Sequence, residues 1–275
     1  MRAGIMQPYF FPYAGYFALV AASDTWVVFD TVQYTPKTWM NRNRVLSPRS
    51  GWCWVTVPVR RSSRSVRVHE VELADPDRAE QSVLGALSHY RHHAPQWRAV
   101  EDLVRRTFGS LRRPSLTDLD VAGLVAVCEH LGLACSPLVC SELDLALEPV
   151  DHPGGWAPAI ASALGADAYV NPVGGAHLFR TAEFTARGVT LQFLEPPELT
   201  YATGPFTFEP NLSILDVLMW NDPAEVARAL TSATVVTAPS EPSVRPGGQG
   251  APVGDPAATT SVDRPLAAHA RPRGA

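Results

Sequence analysis

The stretch RAGIMQPYFFPYAGYFALVAASDTWVVFD, residues 2–30, decides the fold because it contains a complete pattern of strand, helix and strand. Its apolar beginning at 2–6 and the β-branched and aromatic run at 25–29 both predict buried strands. The segment 15–22 between them, GYFALVAA, has a helical composition. Because a helix that crosses between neighbouring strands makes them parallel, this order indicates an α/β fold.

The later part of the chain continues this alternation of strands and helices. Further strands are predicted at residues 51–59, 66–73, 137–141, 168–171 and 189–194. Further helices are predicted at 75–90, 95–108, 118–131, 156–164, 213–220 and 222–230. Asp75 and Pro76 mark the beginning of one helix, and Gly132 marks the end of another. We therefore predict a largely parallel or mixed sheet with flanking helices.

The composition limits the classes of function. A chain of 275 residues with 46% hydrophobic residues can bury a sizeable core. Its net charge is −4 and its basic residues are scattered, so no nucleic-acid partner is expected. No run approaches the roughly 20 apolar residues of a membrane helix, and the beginning MRAGIMQPYFFPY lacks the layout of a signal peptide. We therefore expect a cytoplasmic protein without a membrane partner.

The cysteines and the last residues carry two further predictions. Cys53, Cys128, Cys135 and Cys140 are irregularly spaced, so we expect no metal site, no disulfide framework and no cofactor.

Residues 236–275 are rich in Pro, Gly and Ala and have no hydrophobic periodicity, which predicts a disordered tail. The folded domain is accordingly predicted at 1–235, and a chain that ends near Ser232 is expected to fold.

Several unusual blocks carry a resemblance to a known family. They are IMQPYFFPY at 5–13, GYF at 15–17, Asp30, VQY at 32–34 and NRNR at 41–44, followed by later blocks at 56–59, 169–179 and 211–216. This set resembles the signature of the WbqC-like family over about residues 1–230. The resemblance implies a role in gene clusters for surface polysaccharides and specialised metabolites.

The layout of residues 4–30 also resembles nucleotidyltransferase-like or Rossmann-like folds, although only in the order of its elements. Nucleotidyltransferases hold the reacting phosphates with paired imidazoles, whereas Tyr13 and Tyr16 stand at that place here. Direct nucleotidyl transfer is therefore disfavoured, because the charge stabilisation that it needs is missing.

The aromatic loop at residues 8–13 is the first candidate for ligand binding. It follows a predicted strand, and parallel α/β sheets bind ligands at the carboxyl ends of their strands. Tyr9 and Tyr13 could stack on a sugar or a nucleobase, and Gln7 could donate and accept hydrogen bonds. The alternative is that the loop is a hydrophobic plug that packs the helix onto the sheet.

Asp30 and Gln33 follow the second predicted strand. Asp30 stands where an acid could act as a base or orient a hydroxyl or amine, although Asp is also common in turns. Gln33 would share a face with Thr31 in an extended segment and would add polar groups to an aromatic site.

The segment Asn41-Arg42-Asn43-Arg44 is a candidate anion clamp. Guanidinium groups bind phosphate or carboxylate with two parallel hydrogen bonds, and strand alternation would place Arg42 and Arg44 on one side. We predict that Arg42, Asn43 and Arg44 contact substrate. An exposed basic edge strand is the alternative.

Two further groups of residues complete the candidate site. His89 could serve as a general base, although histidines at a helix end also offset the helix dipole. Four residues near a later strand end are predicted to contact substrate, although glycines also mark ordinary turns. They are Tyr169, Asn171, Gly174 and Gly175.

Two functions remain open at this point. The first is a transferase that moves an acyl or aminoacyl group onto an amino- or hydroxyl-bearing sugar nucleotide or a related metabolite. Its substrate would be a small molecule, either phosphate-bearing or carrier-bound, with Asp30 or His89 as base. The second is a non-catalytic ligand-binding or scaffold protein of the same pathway. An unambiguous pair of base and nucleophile would separate them, and the sequence does not contain one.

Overall fold

A computed structural model describes residues 1–61, 63 and 65–239. The strands are β1 (Arg2–Met6), β2 (Thr25–Val28), β3 (Arg42–Leu46), β4 (Trp52–Thr56), β5 (Leu138–Val139), β6 (Ala168–Pro172), β7 (Thr190–Glu195) and β8 (Thr234–Thr237). The α-helices are α1 (Ala14–Ala21), α2 (Pro76–Leu87), α3 (Trp97–Gly109), α4 (Leu116–Leu131), α5 (Trp156–Ala163), α6 (Thr181–Thr185), α7 (Ile214–Trp220) and α8 (Pro223–Thr231).

The main sheet has six strands in the order β5-β2-β1-β6-β7-β8. All neighbouring pairs are parallel except β7 and β8, which are antiparallel. The predicted α/β class, with a mostly parallel sheet and flanking helices, is therefore confirmed. From β1 the chain passes through α1 to β2 on one side, whereas β6 lies on the other side. The strand order therefore reverses at β1 and β6, and parallel sheets bind ligands at the carboxyl ends of the strands at such a point.

Successive residues of each strand point to opposite faces of the sheet, so their side chains contribute to two separate hydrophobic cores. In β2, Trp26 and Val28 belong to the larger core, whereas Val27 belongs to the smaller one. The larger core packs against α1, α2, α3, α4, α7 and α8, and the smaller core against α5 and α6. The helix ends follow the sequence, since the Asp75 side chain accepts a hydrogen bond from the Arg78 amide and Gly132 ends α4 in the left-handed conformation.

Residues 66–73 do not form the predicted strand. They contain a 3-10 helix, Val68–Glu70, and form irregular antiparallel hydrogen bonds with residues 30–34. The Tyr34 amide donates to the Val66 carbonyl, and the Val68 amide donates to the Val32 carbonyl. The alternating apolar residues of this segment therefore reflect burial of one face, and they do not indicate pairing in a regular ladder.

The strand β8 was not predicted from the sequence. It pairs with β7, and beyond it the Ala238 amide donates to the Leu191 carbonyl at 2.9 Å. The ordered structure therefore extends past the predicted boundary at residue 235. A chain that ends near Ser232 would lose this edge strand. The rest of the predicted tail, from residue 240 onward, lies outside the described residues.

Candidate functional site

The carboxyl ends of β1 and β2 are neighbours, because the Phe29 amide donates to the Met6 carbonyl at 2.7 Å. Gln7 follows β1 and Asp30 lies just beyond β2, so both residues lie at the same edge of the sheet. Gln7 is half-buried, and its carbonyl accepts a hydrogen bond from the Tyr16 hydroxyl at 2.9 Å. Gln33 is exposed on the segment that pairs with Arg67.

The Asp30 side chain is 0% exposed and is bound by the loop that follows β5. Its carboxylate accepts hydrogen bonds from the Ser141 amide at 2.9 Å and from the Ser141 hydroxyl at 2.6 Å. The backbone carbonyl of Asp30 accepts a hydrogen bond from the His69 amide at 3.2 Å. Asp30 therefore orients the side chain of the exposed Ser141 at the sheet edge, and its own carboxylate is not exposed to a ligand.

The aromatic loop divides into a packed half and a half-exposed half. Phe10 and Phe11 are buried, and a Cβ atom on Gly123 of α4 would lie 3.3 Å from the Phe11 ring. Tyr9 and Tyr13 remain half-buried. The two phenylalanines are therefore packed in the core, as the alternative predicted, whereas ligand binding by the accessible tyrosines stays a prediction.

Phe11 adopts a positive φ of 39°, which is uncommon for a bulky side chain. Several hydrogen bonds hold it there. The Asn43 amide group donates to the carbonyls of Phe10 at 3.1 Å and Phe11 at 2.8 Å, and the Ser213 hydroxyl donates to Phe11 at 2.7 Å. Asn43 is itself buried, so it positions the loop and does not face a ligand. Strain that is held in this way is typical of functional loops.

A cavity of about 660 Å³ opens beside Tyr13, between the beginning of α1 and the segment after β7. Its lining includes Tyr13, Val173, Glu195, Glu198, Tyr201 and Asn211. Within the described part of the chain, this lining contains two carboxylates and no Lys, Arg or His side chain. The cavity is therefore unsuited to a phosphate group, because its two carboxylates repel an anion and no cationic side chain of the lining offsets them.

The end of β6 places two of its predicted contact residues inside the protein. Tyr169 is 1% exposed, stacks on Phe184 with ring centroids 5.4 Å apart, and donates its hydroxyl to Asn171 at 2.9 Å. Because Tyr169 is buried, it is not accessible for direct contact with a ligand. Asn171 is also buried, and a Cβ atom on Gly175 would come within 2.4 Å of its amide nitrogen. Gly175 therefore permits a close internal approach, whereas Gly174 has open space around it.

Arg42 and Arg44 lie on the same, outward face of β3, as strand alternation predicts. The antiparallel partner β4 places Trp54 opposite Arg44 and Trp52 opposite Leu46. We call the outward side of this hairpin the tryptophan–arginine face. It consists of Trp39, Arg42, Arg44, Trp52 and Trp54.

The guanidinium groups of this face lie against indole rings. The guanidinium carbon of Arg42 lies 3.8 Å from the centroid of Trp54, and that of Arg44 lies 5.1 Å from Trp52 and 5.2 Å from Trp39. Trp52 and Trp54 are 41% and 37% exposed, so their rings also remain open to solvent. Such stacking fixes the plane of a guanidinium group and directs its N–H donors to the side.

The hydrogen bonds of these arginines are incomplete. A terminal nitrogen of Arg44 donates to the Asn211 carbonyl at 3.2 Å. Among the described residues, the buried Nε atoms of both Arg42 and Arg44 have no hydrogen-bond partner. Burial lowers the pKa of Arg44, and nearby Glu209 opposes that shift. An arginine side chain keeps its charge under these conditions, so the face remains suited to an anionic ligand.

His89 belongs to a different region. Its ring packs on Tyr90 at 4.2 Å and on Phe206 at 5.7 Å, and burial lowers its pKa. Tyr90 in turn donates its hydroxyl to Asp216, which also accepts from Tyr201 at 2.8 Å. This buried network joins the hairpin to α7, since the Leu46 amide also donates to Asp216 at 3.3 Å. His89 and Asp30 therefore contact different sets of residues and do not form a pair.

Sequence reasoning missed two sets of residues. The tryptophans of the tryptophan–arginine face become partners of the arginines only through the hairpin register. Asp120 and Thr117 lie on the buried side of α4, among apolar neighbours. A polar residue within an apolar helical stripe is a signal that could have found Asp120.

These features define a mixed α/β protein with polar and aromatic groups at the carboxyl edge of a mostly parallel sheet. The chain belongs to the WbqC-like protein family, whose model matches residues 7–228. It is similar to the uncharacterized protein Rv1507c of Mycobacterium tuberculosis, with 29% identity over 133 residues. That match covers 48% of this chain and 57% of the relative, so the chain spans little more than half of that protein.

No solved structure gives a significant match to the chain. Among the described residues, no helix is long and apolar enough to cross a membrane.

Proposed function

We propose that this protein is a biosynthetic transferase that moves an acyl or aminoacyl group onto an amino- or hydroxyl-bearing sugar nucleotide or related metabolite. The observation that carries the proposal is the tryptophan–arginine face, where two guanidinium groups lie against tryptophan rings on one side of a hairpin. The setting that the family resemblance implies, surface polysaccharides and specialised metabolites, supports the biosynthetic part of the proposal.

A sugar nucleotide has the chemistry that this face would recognise. Its diphosphate accepts paired hydrogen bonds from guanidinium groups, and those of Arg42 and Arg44 lie on the same outward face of β3. Its base or sugar ring can stack on the exposed faces of Trp52 and Trp54. A ligand that combines an anion with a flat ring therefore fits better than a simple anion does.

The transferred group would arrive as a thioester, either on coenzyme A or on a carrier protein. The amine or hydroxyl of the acceptor forms a new bond to the carbonyl carbon, the bond from carbon to sulfur breaks, and the thiol leaves. The proton of the acceptor passes to a base or to solvent. We assign Asp30 the role of a positioning residue, because it orients the Ser141 hydroxyl at the sheet edge.

The first experiment measures the binding of UDP-glucose by calorimetry and by tryptophan fluorescence. Arg42→Lys keeps the charge but removes the planar donor group and its stacking on Trp54. A charged hydrogen bond contributes about 1.5–3 kcal/mol, so we expect binding to weaken roughly 10- to 100-fold. The melting temperature should change little, because the side chain is partly exposed.

Arg105→Lys is the matched control, because Arg105 is exposed on α3 and pairs with Glu80 and Glu101. It should bind UDP-glucose as the parent does. Unchanged binding by Arg42→Lys, or unfolding of that variant, would remove Arg42 from the site.

The second experiment separates a transferase from a non-catalytic binding protein. The protein is incubated with acetyl-coenzyme A and an amino-bearing UDP-sugar, and the products are analysed by mass spectrometry. A transferase produces an acylated sugar and free thiol in equal amounts. Tight binding of the sugar nucleotide, without product from this donor or from carrier-bound thioesters, would favour the binding protein.

A further inference from the structure

Helix α4 carries two buried polar side chains that face the aromatic loop. Thr117 and Asp120 are one helical turn apart, and they are 4% and 3% exposed. Gly123, one further turn along the same side, lies against Phe11. The helix therefore carries a buried hydroxyl and a buried carboxyl group within two turns of its contact with the aromatic loop, and these two groups define the buried region around Asp120.

The polar atoms in this region lack partners. Among the described residues, neither carboxylate oxygen of Asp120 has a hydrogen-bond donor, and the hydroxyls of Thr117 and Tyr34 are also unpaired and buried. A buried polar group without a partner costs about 1–3 kcal/mol, and an ionised group costs more. An ordinary protein core rarely contains several unpaired polar groups in one region. Such groups are instead expected in a binding site, where a ligand supplies the missing hydrogen-bond partners.

None of the described residues supplies a compensating positive charge to Asp120. Burial alone raises the pKa of the Asp120 carboxyl well above its usual range. The pKa values of the Tyr16 and Tyr34 hydroxyls are raised by burial, and the negative charge of Asp120 adds to both shifts. These two tyrosines are therefore within electrostatic reach of Asp120. Arg42 lowers the pKa of Tyr34, which places the cation near Tyr34.

A primary ammonium group has the complementary chemistry. It carries three N–H donors, and the two oxygens of Asp120 and the hydroxyl of Tyr34 provide unpaired acceptors. Its charge would balance that of Asp120, and the side chains of Tyr16 and Tyr34 lie within electrostatic reach of the same carboxyl group. A neutral hydroxyl would supply one donor and no charge.

We infer that Asp120 and Tyr34 bind the primary amine of a ligand. This inference rests on the proposed function, because it selects the amino-bearing member of the proposed substrate class. Half-buried Gln7 and Tyr9 contact Tyr16, and half-buried Arg42 lies near Tyr34, so a ligand on the tryptophan–arginine face could extend its amine towards Asp120.

The test uses two pairs of probes that differ at one position. One pair is UDP-glucosamine and UDP-glucose, and the other is glucosamine and glucose without the nucleotide. Binding to the full chain is measured by calorimetry. We expect the amine of each pair to bind at least about tenfold more tightly than the hydroxyl, a difference typical of one charged hydrogen bond.

Asp120→Asn has the same shape but no charge, so it should remove this preference. Tyr34→Phe keeps the ring and removes the unpaired hydroxyl, so it should weaken binding of the amine in each pair. If Asp120→Asn fails to fold, Tyr34→Phe takes its place as the test. Glu129→Gln, an exposed change on the same helix, is the control and should keep the parent preference.

The outcomes separate this inference from the proposed function. Equal affinity for amine and hydroxyl in both pairs, or a preference that survives the tested variant, would overturn the inference. If neither UDP-sugar binds but glucosamine is preferred and the preference depends on Asp120 or Tyr34, the inference stands and the proposed function fails.

Discussion

The tryptophan–arginine face and the buried region around Asp120 have opposite characters. The face offers two guanidinium groups and their positive charge beside exposed indole rings. The buried region offers unpaired oxygen acceptors, a carboxyl group and tyrosine rings. Arg42 belongs to the face and also acts on Tyr34, so it links the two regions. A ligand with an anion at one end and an amine at the other would satisfy both.

The aromatic loop connects these regions, and Asn43 holds it. Asn43→Ala would leave the Phe10 carbonyl without this donor and the Arg44 amide without the Asn43 oxygen, while the Phe11 carbonyl keeps the Ser213 hydroxyl but loses part of what holds its strained φ. Each buried unpaired group costs about 1–3 kcal/mol, so we expect unfolding in urea to show a loss of about 2–4 kcal/mol. Binding of UDP-glucose and of glucosamine should weaken together.

Ser213→Ala is the comparison variant. Of the described residues in the loop, the Ser213 hydroxyl donates only to Phe11, at its carbonyl. It should lose less stability than Asn43→Ala. If Asn43→Ala weakened only one of the two ligands, the regions would be independent and the link through the loop would be wrong.

The second prediction concerns the pH dependence of stability. Because the pKa of Asp120 is raised in the folded state, the folded protein holds a proton that the unfolded chain has lost. Stability should therefore fall as pH rises above about 3.8, the usual value of the group, and it should level off above the folded pKa. Within that window the contribution of Asp120 is about 1.4 kcal/mol per pH unit.

Asp120→Asn should lack this contribution, so its stability relative to the parent should increase with pH. Urea unfolding of both proteins across the acidic and neutral range measures the difference. Tyr16 and Tyr34 stay protonated in this range, since their pKa values are raised. Parallel stability profiles for the two proteins would show that Asp120 is paired or ionised in the folded state.

The smallest effect is expected on the exposed face. Trp54→Ala removes the ring that lies against the Arg42 guanidinium, and stacking of a ring on an aromatic side chain contributes about 0.5–1.5 kcal/mol beyond its burial. UDP-glucose should therefore bind roughly 2- to 12-fold more weakly, with little change in melting temperature. Trp97→Phe, at a buried position of α3, serves as the contrast, since it should leave binding unchanged.

Local patterns in the sequence determined the unit of β1, α1 and β2, the class of the fold and the common side of Arg42 and Arg44. Each of these depends on alternation, helical spacing or a capping residue such as Asp75, and such features act over a few neighbouring residues. The family resemblance also arose from short blocks of this kind.

Only the tertiary structure decided which polar groups have partners. Tyr169 and Asn43 look like contact residues in the sequence, but packing places both inside the protein and uses their hydrogen bonds. Asp120 looks like an ordinary residue of a helix, but the same packing buries it without a donor among the described residues. Burial and hydrogen-bond partners depend on segments that are distant in the chain, and local periodicity contains no information about them.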